Sequence, residues 1–432
     1  MLAIHTYKQA LSRLTRPQFI SSFHFSSSRR SFFLPSFSCI NSPLSPQHHS
    51  IHHSTRSKTM TGDTVTSSSS TMSSSTLPVS SPAGPSDTTP SSSKGKESET
   101  PYEPRYIDVG INLTDMTYQG FYHGRKVHET DLEDVISRGQ AVGCKKLMVT
   151  GSDYKHSLQA IDLAEKYPGT IFATVGIHPC CASNITKDIT PTTPLRTLLT
   201  RIESLAQTGK KNGTVTAFGE IGLDYDRFFL SDKDSQLRVF EEQLRIAERV
   251  DLPLFLHSRA AEEDFNRLLF EANLPRKGLV HSFTGTLEEM KILVENGYDI
   301  GINGCSLKTE ENLAVVKEVP LERLQIETDG PWCEIRNSHA SAKYLKTMPD
   351  YLANGVPRDV KKEKWQSGLR VKGRNEPCAI AGVAWVIAQV KGVEFEEVCE
   401  RSWENSMTMF RFDEAAALQE KMKENESPDE SA

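Results

Sequence analysis

Acidic residues are missing from the first 62 positions of this 432-residue chain, where serine abounds and Arg13, Arg16, Arg29, Arg30 and Arg56 carry charge. That composition is expected of a mitochondrial or plastid targeting segment, and Met60 could start a shorter product without it. Aromatic residues are missing from 61–100, a Ser/Thr/Pro tract too poor in apolar surface to fold. Residues 63–100 therefore read as a disordered linker. No apolar run reaches the roughly 18 residues a membrane helix needs, so no membrane partner is expected. The eight cysteines show no metal-ligand spacing, and only Cys180 and Cys181 adjoin, which fits free thiols in a reducing intracellular compartment. A basic surplus is also lacking. Beyond residue 100 the chain holds 41 Lys/Arg against 52 Asp/Glu, an acidic excess of 11, so any phosphate must be held locally.

What remains, residues 101–413, has the patterning of one folded domain with room for a large core, and 414–432 reads as a polar, acidic tail. Eight strand-then-helix units follow one another. The strands are Tyr106–Leu113, Lys146–Thr150, Ile171–His178, Val215–Glu220, Leu252–His257, Gly278–His281, Tyr298–Asn303 and Leu324–Asp329. Several are continuous apolar runs, as in a parallel sheet covered by helices. The pattern predicts an α/β TIM (β/α)8 barrel. A doubly wound open sheet fits less well, since it would gather ligands at one switch point.

The chemistry lies at the ends of those runs. His178, Glu220, His257, His281 and Asp329 each close a strand, and Asp224 follows in Gly222-Leu-Asp224. In a parallel barrel all carboxyl ends open on one face, where active sites form. Glu220, His257, His281 and Asp329 are the expected ligands for one or two divalent cations, with Glu220 able to bridge a pair. Asp329 is the candidate general base. Asp108, Asn112 and Asp224 are candidates for additional ligands. Arg259, two residues past a ligand, could grip a phosphate. The stretch 336–374 holds ten Lys/Arg and three Asp/Glu, with Tyr344, Tyr351 and Trp365 interspersed. On the catalytic face, such a loop would suit single-stranded nucleic acid; Lys361, Lys362, Lys364, Trp365 and Arg374 are its candidate contacts.

Gly176-Ile-His-Pro179, Gly219-Glu-Ile-Gly-Leu-Asp224, Leu256-His-Ser-Arg259, His281-Ser-Phe-Thr-Gly285, Glu327-Thr-Asp-Gly-Pro331 and Arg374-Asn-Glu-Pro377 occur in that order. The series resembles the TatD family of metal-dependent deoxyribonucleases, especially its eukaryotic members through Asp108–Thr114 and Gly304–Thr309. The resemblance implies a hydrolase of DNA phosphodiesters, as exonuclease or endonuclease, in DNA repair or degradation. It also implies that Glu220 ligates both metals, His257 and His281 the second and Asp329 the first, with His178 at the scissile phosphate. Many family members carry His-x-His on strand one. Here those positions are Gly110 and Asn112, so the first site is poorer in nitrogen and Mg²⁺ or Mn²⁺ is expected ahead of Zn²⁺. Three rival readings are an amidohydrolase on the same barrel, an aminoacyl-RNA deacylase, and a barrel that only binds.

Overall fold

A computed structural model describes residues 102–353 and 355–426. The targeting and linker expectations, and the end of the acidic tail, lie outside them. Eight parallel strands form one sheet in sequence order. They are β1 Tyr106–Ile111, β2 Cys144–Val149, β3 Ile171–Val175, β4 Val215–Asp224, β5 Leu254–Arg259, β6 Gly278–Val280, β7 Asp299–Ile302 and β8 Leu324–Ile326. The sheet closes just past β8, where Asp329 N donates to Gly110 O (2.8 Å) and Asn112 N to Gly330 O (2.8 Å). The expected barrel is therefore the observed one.

Strand order follows from the intervening helices: α1 Leu132–Ala141, α2 Tyr154–Lys166, α3 Leu195–Asn212, α4 Lys233–Val250, α5 Glu262–Glu271, α6 Leu287–Glu295, α7 Glu310–Glu318 and α8 Ile380–Lys391. Their starts are written in the chain. Asp153 accepts from His156 N, Asp232 from Ser235 N, and Thr309 forms a reciprocal cap with Asn312, each satisfying an orphan N–H of the first turn. All ten residues of β4 are buried, as its apolar run required. Gly222 allows close strand packing: at φ +144°, any Cβ would collide with the His257 carbonyl on β5.

Residues from six neighbouring strands (Ile107 and Val109, Met148, Phe172, Ala217, Phe255, Leu279) join a cluster with Phe410 and Phe412, so this cluster fills the barrel interior. The phenylalanines belong to α9 Phe395–Phe410 and α10 Phe412–Glu426. Of the two, only α10 enters the stretch expected as a tail. Residues 414–426 continue a helix whose Gln419 accepts from Gly169 N (2.7 Å) and donates to Ile171 O (3.2 Å) at the start of β3. The amino end of the barrel is thereby plugged. Among the described residues, no single helix is long and apolar enough to cross a membrane.

Candidate metal centre

β4 runs past Glu220 and carries its carboxylate to the carboxyl end of the barrel, where three imidazoles meet one oxygen. Glu220 Oε1 lies 2.7 Å from His281 Nε2, 2.9 Å from His257 Nδ1 and 3.2 Å from His178 Nε2. All four side chains are buried. His178 sits three residues past β3, and its Nδ1 accepts from Cys180 N (3.0 Å). That bond leaves the proton of the neutral ring on Nε2, facing Glu220. Burial opposes every charge here, yet mutual attraction wins. Burial raises the Glu220 carboxyl, but His178 and His281 bring it well below the usual range. His281 likewise overcomes burial, through Glu220 and Glu327, and stays charged well above the ordinary range.

This cluster fits a metal ion. Histidine nitrogens and a carboxylate oxygen are the donors divalent transition ions take, and ligand atoms of His178, Glu220 and His257 lie within 4.8 Å of one another. His257 Nε2 and His281 Nδ1 point the other way, toward Asp224 Oδ2 (3.4 Å) and Glu327 Oε1 (3.6 Å). The proton that Glu220 and Glu327 hold on His281 stands where a cation's charge would do the same work.

Asp329 lies across the mouth, three residues past β8, at φ +52°. Its Oδ1 accepts from Asn112 Nδ2 (2.8 Å) and its Oδ2 from Cys333 Sγ (3.2 Å). Burial pushes its carboxyl up to about 7, against the pull of His281. Asn112 therefore reaches the site, with its amide nitrogen; its oxygen accepts from Thr150 Oγ1 (2.5 Å).

Glu327 is a site residue that sequence reasoning missed. Fully buried, it accepts from Ser282 N (2.6 Å) and Asn303 Nδ2 (3.1 Å), and its Oε1 stands 3.6 Å from His281 Nδ1. Its Oε2 has no partner and occupies the space a side chain at position 110 would need. Gly110 is thus the residue type this carboxylate permits. A second acid two positions before Asp329 was the available signal.

Three expected site residues turn out to brace the site. Asp108 accepts from Thr328 N (2.9 Å), Thr328 Oγ1 (2.5 Å) and Gly110 N (3.3 Å), tying β1 to the segment that carries Asp329. Asp224 accepts from Arg259 Nε (3.0 Å) and Nη2 (2.5 Å) and lies 3.4 Å from His257 Nε2. Burial raises the Asp224 carboxyl, but His257 and Arg259 bring it below the usual range. Arg259 is thereby engaged in a bidentate pair within the protein, not aimed at an open phosphate position.

Arg374 corrects the expected contact set more sharply. It is buried and gives its guanidinium to Asp131 (2.7 and 2.5 Å), Glu376 (3.0 Å) and Thr117 O (3.0 Å). Trp365 is half-buried, stacks on His128 (centroids 4.7 Å) and donates to Leu369 O. Lys362 lies over the Tyr122 ring (4.7 Å), while Lys361 and Lys364 are exposed.

A parallel barrel with imidazoles and carboxylates gathered at its carboxyl mouth defines a metal-dependent hydrolase. The comparisons make the class particular. The TatD related DNase profile matches residues 107–411, and the chain belongs to that family. It is 46% identical over 308 residues to the deoxyribonuclease Tat-D of Schizosaccharomyces pombe, covering 71% of this chain and 95% of that protein. It is 30% identical over 310 residues to the 3'-5' ssDNA/RNA exonuclease TatD of Pectobacterium parmentieri, covering 71% of this chain and 99% of that protein. A crystal structure described as an uncharacterized amidohydrolase from Saccharomyces cerevisiae superposes with a TM-score of 0.64 at 34% identity, covering 71% of this chain and all of that one.

Proposed function

We propose that this chain is a divalent-metal-dependent deoxyribonuclease acting at the carboxyl mouth of its barrel, preferring single-stranded DNA. The observation that carries the reading is the convergence of His178, His257 and His281 on one oxygen of Glu220, with Asp329 across the mouth. The amidohydrolase, deacylase and binding-only readings draw no support of their own from this site.

Bound divalent ions would supply an activated water and stabilise charge on the attacked phosphate. Glu220 is the central anionic ligand, and His257 and His281 supply nitrogen beside it. Asp329, held by the Asn112 and Cys333 donors, would ligate and take a proton from the nucleophile. His178 carries its proton on Nε2, fixed by the Cys180 N–H, and would donate it to a non-bridging phosphate oxygen. Asp224 and Glu327 keep the His257 and His281 rings in orientation, as outer partners of metal-bound histidines do.

We assign the site two ions. The imidazole-rich half around Glu220 favours a borderline ion such as Mn²⁺ or Zn²⁺, and the oxygen half around Asp329 a hard ion such as Mg²⁺ or Mn²⁺. Mn²⁺ suits both, and it is one of the two ions expected from Gly110 and Asn112. The strand-cleaving polarity of the Pectobacterium relative, 3' to 5', is proposed here too. Residues 1–62 are proposed to direct the chain to a mitochondrion or plastid.

The test is cleavage of end-labelled single- and double-stranded DNA by the full chain under Mn²⁺ and Mg²⁺ titration, with metal content measured on the same samples. Glu220→Gln and Asp329→Asn should each lower kcat by about 10²–10³-fold or more and reduce bound metal, with circular dichroism unchanged. Cleavage that persists in both variants, or in chelator, would sink the reading.

A further inference from the structure

Large apolar side chains are normally scattered when exposed; here most of them sit on segments at one end of the strands. Among the described residues, six large hydrophobic side chains are exposed. Phe270 and Leu418 lie on helices α5 and α10. The other four, Met116, Phe228, Phe229 and Tyr351, sit on segments that leave the carboxyl ends of β1, β4 and β8. That end is the one where the metal centre opens. Phe229 is the extreme case at 73% exposed, with Phe228 beside it at 46%.

The loop that carries them is built, not slack. β4 ends at Asp224, which is clamped by Arg259, and a 3-10 turn Tyr225–Arg227 follows. Tyr225 is anchored by its hydroxyl on Asp264 (2.7 Å) and packs against the Phe228 ring (centroids 5.0 Å). The Arg227 guanidinium lies over the Phe229 ring (5.7 Å). An aromatic face is thus held outward with a cation beside it, about 13 Å or more along the strand from Glu220, taking four residues at a strand's rise. Flat apolar faces next to a cationic group match a nucleobase and its phosphate. They do not match a small neutral substrate, which the buried centre alone would contain.

We infer that Phe228 and Phe229, with Arg227, form a stacking platform for bases flanking the scissile phosphate of a single-stranded substrate. The inference rests on the nuclease reading for its link to catalysis, but base binding can be judged without cleavage. Stacking on such a platform tolerates any base, so it would select single strands over duplex without selecting sequence.

The experiment uses the full chain and a single-stranded oligonucleotide containing 2-aminopurine. Phe229→Ala, and separately Phe228→Ala, should raise the Kd by roughly tenfold, within what one base stack carries, and abolish the quenching of 2-aminopurine fluorescence on binding. Phe229→Trp should restore both. In turnover, the ratio of kcat/KM for the oligonucleotide to that for bis(4-nitrophenyl) phosphate should fall about tenfold. An oligonucleotide abasic at the flanking positions should bind wild type and variant alike. Unchanged Kd in both alanine variants overturns the platform. Equal loss on base-bearing and abasic strands overturns it too, by assigning the effect to the fold of the mouth. A change in oligomeric state on Phe229→Ala with DNA binding intact would reassign the patch to a second copy of the chain. If wild type cleaves neither substrate, the nuclease reading fails while the Kd and quenching still decide the platform.

Discussion

Arg374 shows how a cation in a nucleic-acid enzyme can be structural. Its guanidinium and that of Arg138 share Asp131 and Glu376, four charged groups with little solvent. Removing one member of such a network strands its partners as buried charges, which costs about 3–5 kcal/mol. Arg374→Ala should therefore lower stability by that order in urea melts and leave the KM of the folded fraction for DNA unchanged. A normal melt with a raised KM would return Arg374 to the substrate path. The difference in legibility is physical. His257, His281, Glu220 and Asp329 could be found because a strand end is marked locally by its apolar run. The bidentate partner of Arg374, Asp131, lies 243 residues away, and no local pattern reveals such pairing. Glu327 was hidden for a related reason: in Leu324-Gln-Ile-Glu-Thr-Asp its alternation reads as a polar strand face, whereas the barrel closes over it and buries it.

The eight strand–helix units were readable because each switches hydrophobic period, and several helices start at a capping residue. What could not be read was α10, since its acidic surface outweighs its few inward residues in any composition count. Those few matter. Phe412 is fully buried, 4.8 Å from the Phe172 ring and 5.6 Å from Phe410, at the closed end of the barrel. Phe412→Ala leaves a cavity that the surrounding strands cannot collapse into, so the expected loss is about 3–5 kcal/mol. Urea denaturation followed by tryptophan fluorescence would measure it. The metal centre is at the opposite end, so metal affinity in the folded fraction should hold. A loss below about 1 kcal/mol would mean that α10 merely lies on the barrel and that the tail expectation was nearer the energetics.

A domain carrying an acidic excess of 11 beyond residue 100 repels DNA at long range unless its positive charge is concentrated where the strand must lie. The stretch 336–374 concentrates it, and it leaves the barrel on the same face as the metal centre. Exposed Lys361 and Lys364, with Lys362 over Tyr122, form no ion pair among the described residues, so their charge is available to phosphates. Reversing all three to Glu should weaken single-stranded DNA binding. It should also flatten the plot of log affinity against log salt by about 2, since each phosphate contact on a single strand contributes about 0.7. Stability should stay within about 0.5 kcal/mol, as for surface changes generally. An unchanged salt slope would place the strand elsewhere on the mouth. It would leave the Phe228–Phe229 side of the barrel to hold the DNA without this loop.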